Sequence, residues 1–279
     1  MFPTNLRVGS LLKAARTNAG VSLIHLAVIL WLLAMGGTSP AANLTDSQVD
    51  AYNMRVGTET FAALYKFTTN TALVETAQAI TNMGSDAIKL YLGSDTSGQE
   101  GVTLPSNVTN LLTLVRDEPN YHKVLDMPFR HFVMWAYPLE NSDEWWGSGY
   151  NSTDGAKDYQ EMYNLTHYLL TNYDNSGKTF YLGHWEGDGY LKVNNWTTNP
   201  SMTTVQGMIG WLNNRQKAVD DAKAATTYTN VYVYNYAECN RVRDAMLNNS
   251  TTTCASSITS SPTSPTWITC LTHHMIHKT

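Results

Sequence analysis

Lys178 to Asp188 reads KTFYLGHWEGD. Its first eight residues form an apolar, aromatic run of strand length, and the last three break it with Glu186, Gly187 and Asp188. Asp174-Asn175-Ser176-Gly177 before it is a turn. Further back, Ala156 to Tyr173 has helical spacing, with Tyr159, Met162, Tyr163 and Leu169 on one face. Downstream, Thr203 to Ala225 repeats that spacing at Val205, Met208, Ile209, Leu212 and Val219. Asn230 to Ala237 (NVYVYNYA) is then another strand. Two strands joined through a helix return parallel, because only a crossover brings the chain back to the same end.

The same alternation extends towards the N-terminus. Thr58 to Phe67 predicts a first strand region, Ala72 to Met83 a helix ended by Gly84, and Ala87 to Leu92 a second strand. Ser106 is placed to cap the helix of NVTNLLTLVRD, and Phe129 to Tyr137 (FRHFVMWAY) is a third strand, stopped by Pro138. Strands this apolar, without polar alternation, predict a sheet covered on both faces. A doubly wound sheet would carry a glycine-rich turn after its first strand, and no G-x-G-x-x-G or P-loop occurs. The expected fold class is therefore α/β, a partial (β/α)8 TIM barrel with about five βα units. Only 41 residues follow Glu238, and Ser250 to Thr266 is Ser/Thr-rich and low in complexity. The predicted division is a targeting segment at 1–42, an incomplete barrel domain at 43–249 and an irregular tail at 250–279.

Composition narrows the function. The 279 residues are 43% hydrophobic and 15% charged, with 18 Lys+Arg against 23 Asp+Glu and a net charge of −5. Nucleic-acid binding needs clustered cations, and this balance excludes a strongly basic binder. Residues 1–20 hold Arg7, Lys13 and Arg16 and no acid; Val21 to Met35 is an apolar run, followed by small residues to Ala42. This is the pattern of a secretory signal peptide, with Ser39 and Ala41 suited to cleavage after Ala41. The alternative is an uncleaved anchor through residues 21–35, although that run is shorter than the roughly 20 residues of a bilayer span. Without the three bases the remaining chain carries 15 Lys+Arg against 23 acids. N-x-[ST] sequons at Asn43, Asn107, Asn151, Asn164, Asn195, Asn248 and Asn249 suit the same route. Cys239, Cys254 and Cys270 lack zinc spacing, and Cys254 and Cys270 are candidates to pair. No metal or cofactor is expected.

Reactive groups in parallel barrels gather at the C-terminal ends of strands. Glu186 follows Trp185 there, and an aromatic neighbour raises a carboxyl towards proton-donor range by desolvation. Glu238 ends the next strand, flanked by Asn235 and Asn240. These two acids are the candidate catalytic pair, although Arg241 and Arg243 give Glu238 an equally good reading as an ion-pair partner. Trp135, Tyr137, Trp145, Trp146, His184, Trp185, Asp188, Asn235, Asn240 and Arg55 are candidate substrate contacts. Flat rings would meet sugar faces, and amides and acids would meet hydroxyls. Trp145 and Trp146 read equally well as loop packing, and Arg55 more readily as a structural bridge. No G-x-S-x-G or H-E-x-x-H motif offers a competing chemistry.

The order of elements, with TFYLGHWEGD and YVYNYAECN closing two strands, resembles the TIM-barrel glycoside hydrolases of the clan A type. More closely it resembles a group of secreted barrel proteins with a YNxRVGTxTF stretch, here Tyr52 to Phe61, and a WEGD signature. The resemblance covers roughly Ala51 to Leu247. It implies a glycan substrate, with Glu186 as acid/base. Two departures stand out. Trp185 occupies the place where such enzymes usually have Asn, and the strand-seven nucleophile has no counterpart, which leaves Glu238 as the substitute. The expected protein is secreted and glycoside hydrolase-like. Its partner is a glycan, with no nucleic acid and no stable membrane insertion unless residues 21–35 are retained. The alternative is a non-catalytic carbohydrate-binding protein.

Overall fold

The computed structural model describes residues 57–62, 64–141, 143–185, 191 and 200–238, all within the unit Val49–Thr279. The elements alternate: β1 (Gly57–Glu59), α1 (Ala72–Asn82), β2 (Ala87–Leu92), α2 (Thr96–Glu100), α3 (Leu111–Asp117), α4 (Pro119–Asp126), β3 (His131–Ala136), α5 (Ser152–Asn172), β4 (Thr179–Gly183), α6 (Met202–Ala225) and β5 (Tyr232–Asn235). The five strands form one parallel sheet in the order β1-β2-β3-β4-β5. Among the described strands the order never reverses, so they form no topological switch point. Successive crossovers of one hand place every connecting helix on the same face.

That placement is visible in the core. Ile88, Leu90 and Leu92 of β2, Phe132, Met134 and Ala136 of β3, Phe180 and Leu182 of β4 and Val233 of β5 are buried. They share one cluster with Leu73 and Ile80 of α1, Leu114 of α3, Val124 of α4, Leu165 and Leu169 of α5 and Val219 of α6. Alternate residues point the other way. Lys89, His131, Val133, Trp135 and Tyr181 are half-buried, and Tyr232 and Tyr234 are exposed. Against the expectation of a sheet covered on both faces, the helices among the described residues pack on one face. The alternation escapes a hydropathy reading because aromatic and β-branched side chains occupy the uncovered positions too.

Local chemistry sets the element ends. Thr71 caps α1 through the Val74 N–H, Asn151 caps α5 through Thr153 and Asp154, and Ser201 caps α6 through Thr204. Asn110, rather than Ser106, caps α3, in a reciprocal pair with Thr113. Glu118 caps α4, with Pro119 at its first position. On α5, the Glu161 carboxylate accepts the N–H groups of Leu111, Leu139 and Glu140, at 2.8, 3.1 and 3.0 Å. β1 is shorter than predicted. Its ladder continues to Thr60, whose N–H meets the Lys89 carbonyl at 3.1 Å, and Ala62 then takes a positive φ of 55°. That turn ends the strand, and Leu64 to Phe67 lie exposed beyond it.

Candidate functional site

At the C-terminal edge of the sheet, on the uncovered face, β2, β3 and β5 meet around one carboxylate. Glu238 Oε2 accepts the Trp135 Nε1–H at 3.0 Å and lies 3.5 Å from Lys89 Nζ. In a flat sheet β2 and β5 stand three strand spacings apart, about 14 Å. The segment leaving β5 and the two long side chains bridge that distance across the uncovered face. Glu238 is buried, and Lys89 retains some exposure. The ammonium also stands 4.1 Å from the Trp135 ring centroid and 5.6 Å from that of Phe61.

Aromatic rings surround this pair. Phe61 stacks on Trp135 at 4.3 Å, and Trp185 leans against Trp135 at 5.8 Å. Phe61 therefore consumes one face of Trp135. Trp185 is the ring that presents surface, being 47% exposed. Its backbone N–H donates to the Tyr137 hydroxyl at 2.8 Å, which ties the end of β4 to the end of β3. Tyr137 is itself buried, its ring 6.1 Å from that of Tyr91. Tyr236 fills the space over Gly183, where a Cβ would fall inside the tyrosine ring.

The other candidates separate by face. His184 is fully buried on the helix side, its ring 5.1 Å from Trp211 of α6. Desolvation, reinforced by Arg215, pushes its imidazole down to about 3, so it is neutral near pH 7. Asn235 also points to the helices and donates to Gln216 at 3.4 Å. Trp146 is buried, stacked on Trp211 at 5.3 Å, and so packs the core; Trp145 is half-buried against Tyr150 at 5.4 Å. None of these four rings or amides is shared with the Trp135–Trp185–Glu238 group. Glu186, Asp188, Asn240 and Arg55 lie outside the described residues, as do the signal segment and the three cysteines.

Sequence reasoning overlooked three residues. Lys89 was legible as the lone cation inside the apolar strand AIKLYL. Glu100 gave no such signal. It is fully buried, and its Oε1 accepts the Thr60 hydroxyl at 2.7 Å and the Tyr91 N–H at 2.8 Å, joining β1 to β2. Burial raises its carboxyl to about 7 against those hydrogen bonds. Arg215 of α6 is also fully buried. It donates to the carbonyls of Ala136 at 2.8 Å and Gly183 at 3.2 Å, and faces Asp158 of α5 at 3.6 Å. Burial pushes the guanidinium down and the Asp158 carboxyl up, and each opposes the other's shift. Arg215 thereby holds the ends of β3 and β4, from which Tyr137 and Trp185 project.

Chemically, the arrangement offers a hydrogen-bonded carboxylate, a cation and an exposed indole around Trp135. No group of three or more His, Cys, Asp or Glu side chains is gathered for a metal among the described residues. No helix among them is long and apolar enough to cross a membrane. No family model, curated protein or solved structure matches the chain.

Proposed function

We propose that this protein is a secreted, glycoside hydrolase-like protein acting on glycans, built as a partial (β/α)8 barrel with its uncovered sheet face turned inward. One observation carries the reading. The half-exposed Trp185 stands beside Trp135, whose indole N–H is fixed on the Glu238 carboxylate at the C-terminal end of the parallel strands. An exposed indole suits the apolar face of a pyranose, and a carboxylate beside it suits a hydroxyl or a developing positive charge. Glu186, one residue beyond Trp185, is the proposed proton donor. Glu238, accepting two donors on one oxygen, is suited to attack or to water activation rather than to proton delivery. Secretion rests on the signal-like segment at 1–42 and on the sequons.

A second reading has its own support. Lys89 faces Glu238 at 3.5 Å and offsets the negative charge that a nucleophile needs. This favours a non-catalytic carbohydrate-binding protein using the same indoles. Screening the full chain against a broad panel of glycans, for binding and for hydrolysis, separates the two. The hydrolase reading expects cleavage that Glu186→Gln and Glu238→Gln abolish while binding persists. Binding without cleavage, lost in Trp185→Ala, selects the second. Neither binding nor cleavage across the panel overturns both.

A further inference from the structure

Beyond Ala62 the chain runs over residues 64–68 as Leu-Tyr-Lys-Phe-Thr. These side chains are the most exposed apolar group among the described residues: Leu64 is 47%, Tyr65 76% and Phe67 88% exposed. Such exposure in a slack loop would mean little, but this loop is built. The Glu75 carboxylate on the first turn of α1 accepts the Phe67 N–H at 2.6 Å, the Thr68 N–H at 2.8 Å and the Thr68 hydroxyl at 2.6 Å. The Thr68 hydroxyl also accepts the Asn70 N–H at 3.1 Å. Those hydrogen bonds, that from the Thr68 side chain first, hold the Glu75 carboxyl below its usual range. At the other side of the loop the Ala62 N–H meets the Gln99 carbonyl at 2.7 Å. The apolar tips therefore project because the backbone beneath them is fastened.

Three chemistries compete for such a patch. A sugar platform needs a ring presented flat, whereas Tyr65 and Phe67 meet at 74° with centroids 6.0 Å apart, and Leu64 adds no face for stacking. A stable protein interface buries about 1,000 Å² or more, and three side chains at a loop tip supply on the order of a few hundred. A shallow lipid interface asks for less. It takes Leu and Phe into the upper acyl region, keeps the Tyr ring at headgroup depth, and lets a Lys between them extend its ammonium outward. The order Leu64, Tyr65, Lys66, Phe67 meets that requirement residue by residue. The chain's net charge of −5 opposes an anionic surface and directs the choice to a zwitterionic one.

We propose that residues 64–67 form a lipid-interface insertion loop, which seats the end of the sheet bearing Trp185 and Glu238 against a zwitterionic bilayer surface. This does not depend on the glycan reading.

The test reads the loop itself, so that lipid contact through residues 21–35 does not obscure it. 4-Fluorophenylalanine is placed at position 67 of the full chain, and separately at position 129, a buried Phe preceding β3 at the opposite end of the sheet. Fluorine relaxation is then followed in phosphatidylcholine bicelles carrying an acyl-chain nitroxide, before and after its reduction. The expected result is a paramagnetic enhancement at least threefold larger at position 67 than at 129. Equal enhancement at the two positions overturns the proposal, as does none at 67. A response at 67 to soluble oligosaccharides without any to bicelles also overturns it and assigns the loop to sugar instead.

Discussion

The two faces of the sheet use similar side chains for opposite purposes. Phe132 of β3 and Phe180 of β4, stacked at 5.2 Å, are sealed beneath the helices, whereas Tyr181, the next residue of β4, stacks at 5.8 Å on Tyr234 of β5 and both stay accessible. The covered face excludes water and sets stability. The uncovered one keeps its aromatic surface and gathers Lys89, Trp135 and Glu238 at one end. Along β3 and β5, then, the side-chain period of two separates residues packed under the helices from residues left accessible.

Mutations across this divide should differ most where one residue separates them. Phe132→Ala removes a fully buried ring and should cost about 4 kcal/mol in urea unfolding. Val133→Ala, its neighbour on the other face, should cost below about 1 kcal/mol. Similar losses at both positions would mean that the second face is as tightly packed as the first.

Glu100 gives the next largest effect, through pH. Its folded value of about 7 lies above the ordinary 4.5, so between those pH values the folded state holds more protons. Its contribution is complete below 4.5 and is lost as pH rises to 7, on the order of 3 kcal/mol. His184 has the opposite sign. Lowered from 6.5 to about 3, it contributes fully above 6.5, and that contribution is lost as pH falls. Stability measured from pH 4 to 8 in Glu100→Gln should therefore retain only the acid-side loss. An unchanged profile would remove Glu100 from the account.

Gly183→Ala tests the packing between the ends of β4 and β5. The new Cβ meets the Tyr236 ring and should cost about 2 kcal/mol, with Tyr236→Ala in the same chain recovering part of it. The smallest stability effect belongs to the ring that the proposed function sets against a sugar. Trp185→Ala should move the unfolding free energy by less than about 0.5 kcal/mol while abolishing glycan binding.

Much of the fold was legible in the sequence. Strands β2 to β5 and the helices at Ala72–Asn82, Leu111–Asp117, Ser152–Asn172 and Met202–Ala225 follow from the sequence pattern, because each buries one stripe, whereas β1, exposed at all three residues, overlaps its predicted stretch only at Thr58 and Glu59. The short α2 and α4 did not register: five and eight residues give too little periodicity, and their signals are caps. The site was less legible. A strand end reveals which residues share an edge but not which way each points, and a one-residue step placed His184 and Trp185 on opposite sides of the sheet. Lys89, 149 positions from Glu238, meets it through tertiary structure alone, and no local pattern encodes that.

The Glu161 carboxylate carries a dynamic consequence. It is the common acceptor for the amides of Leu111, Leu139 and Glu140, which belong to two segments distant in sequence. Loosening that one side chain strips all three at once. Their protons should therefore trade with deuterium in concert, as a single foldon bridging the start of α3 and the loop after β3, although no strand or helix joins them.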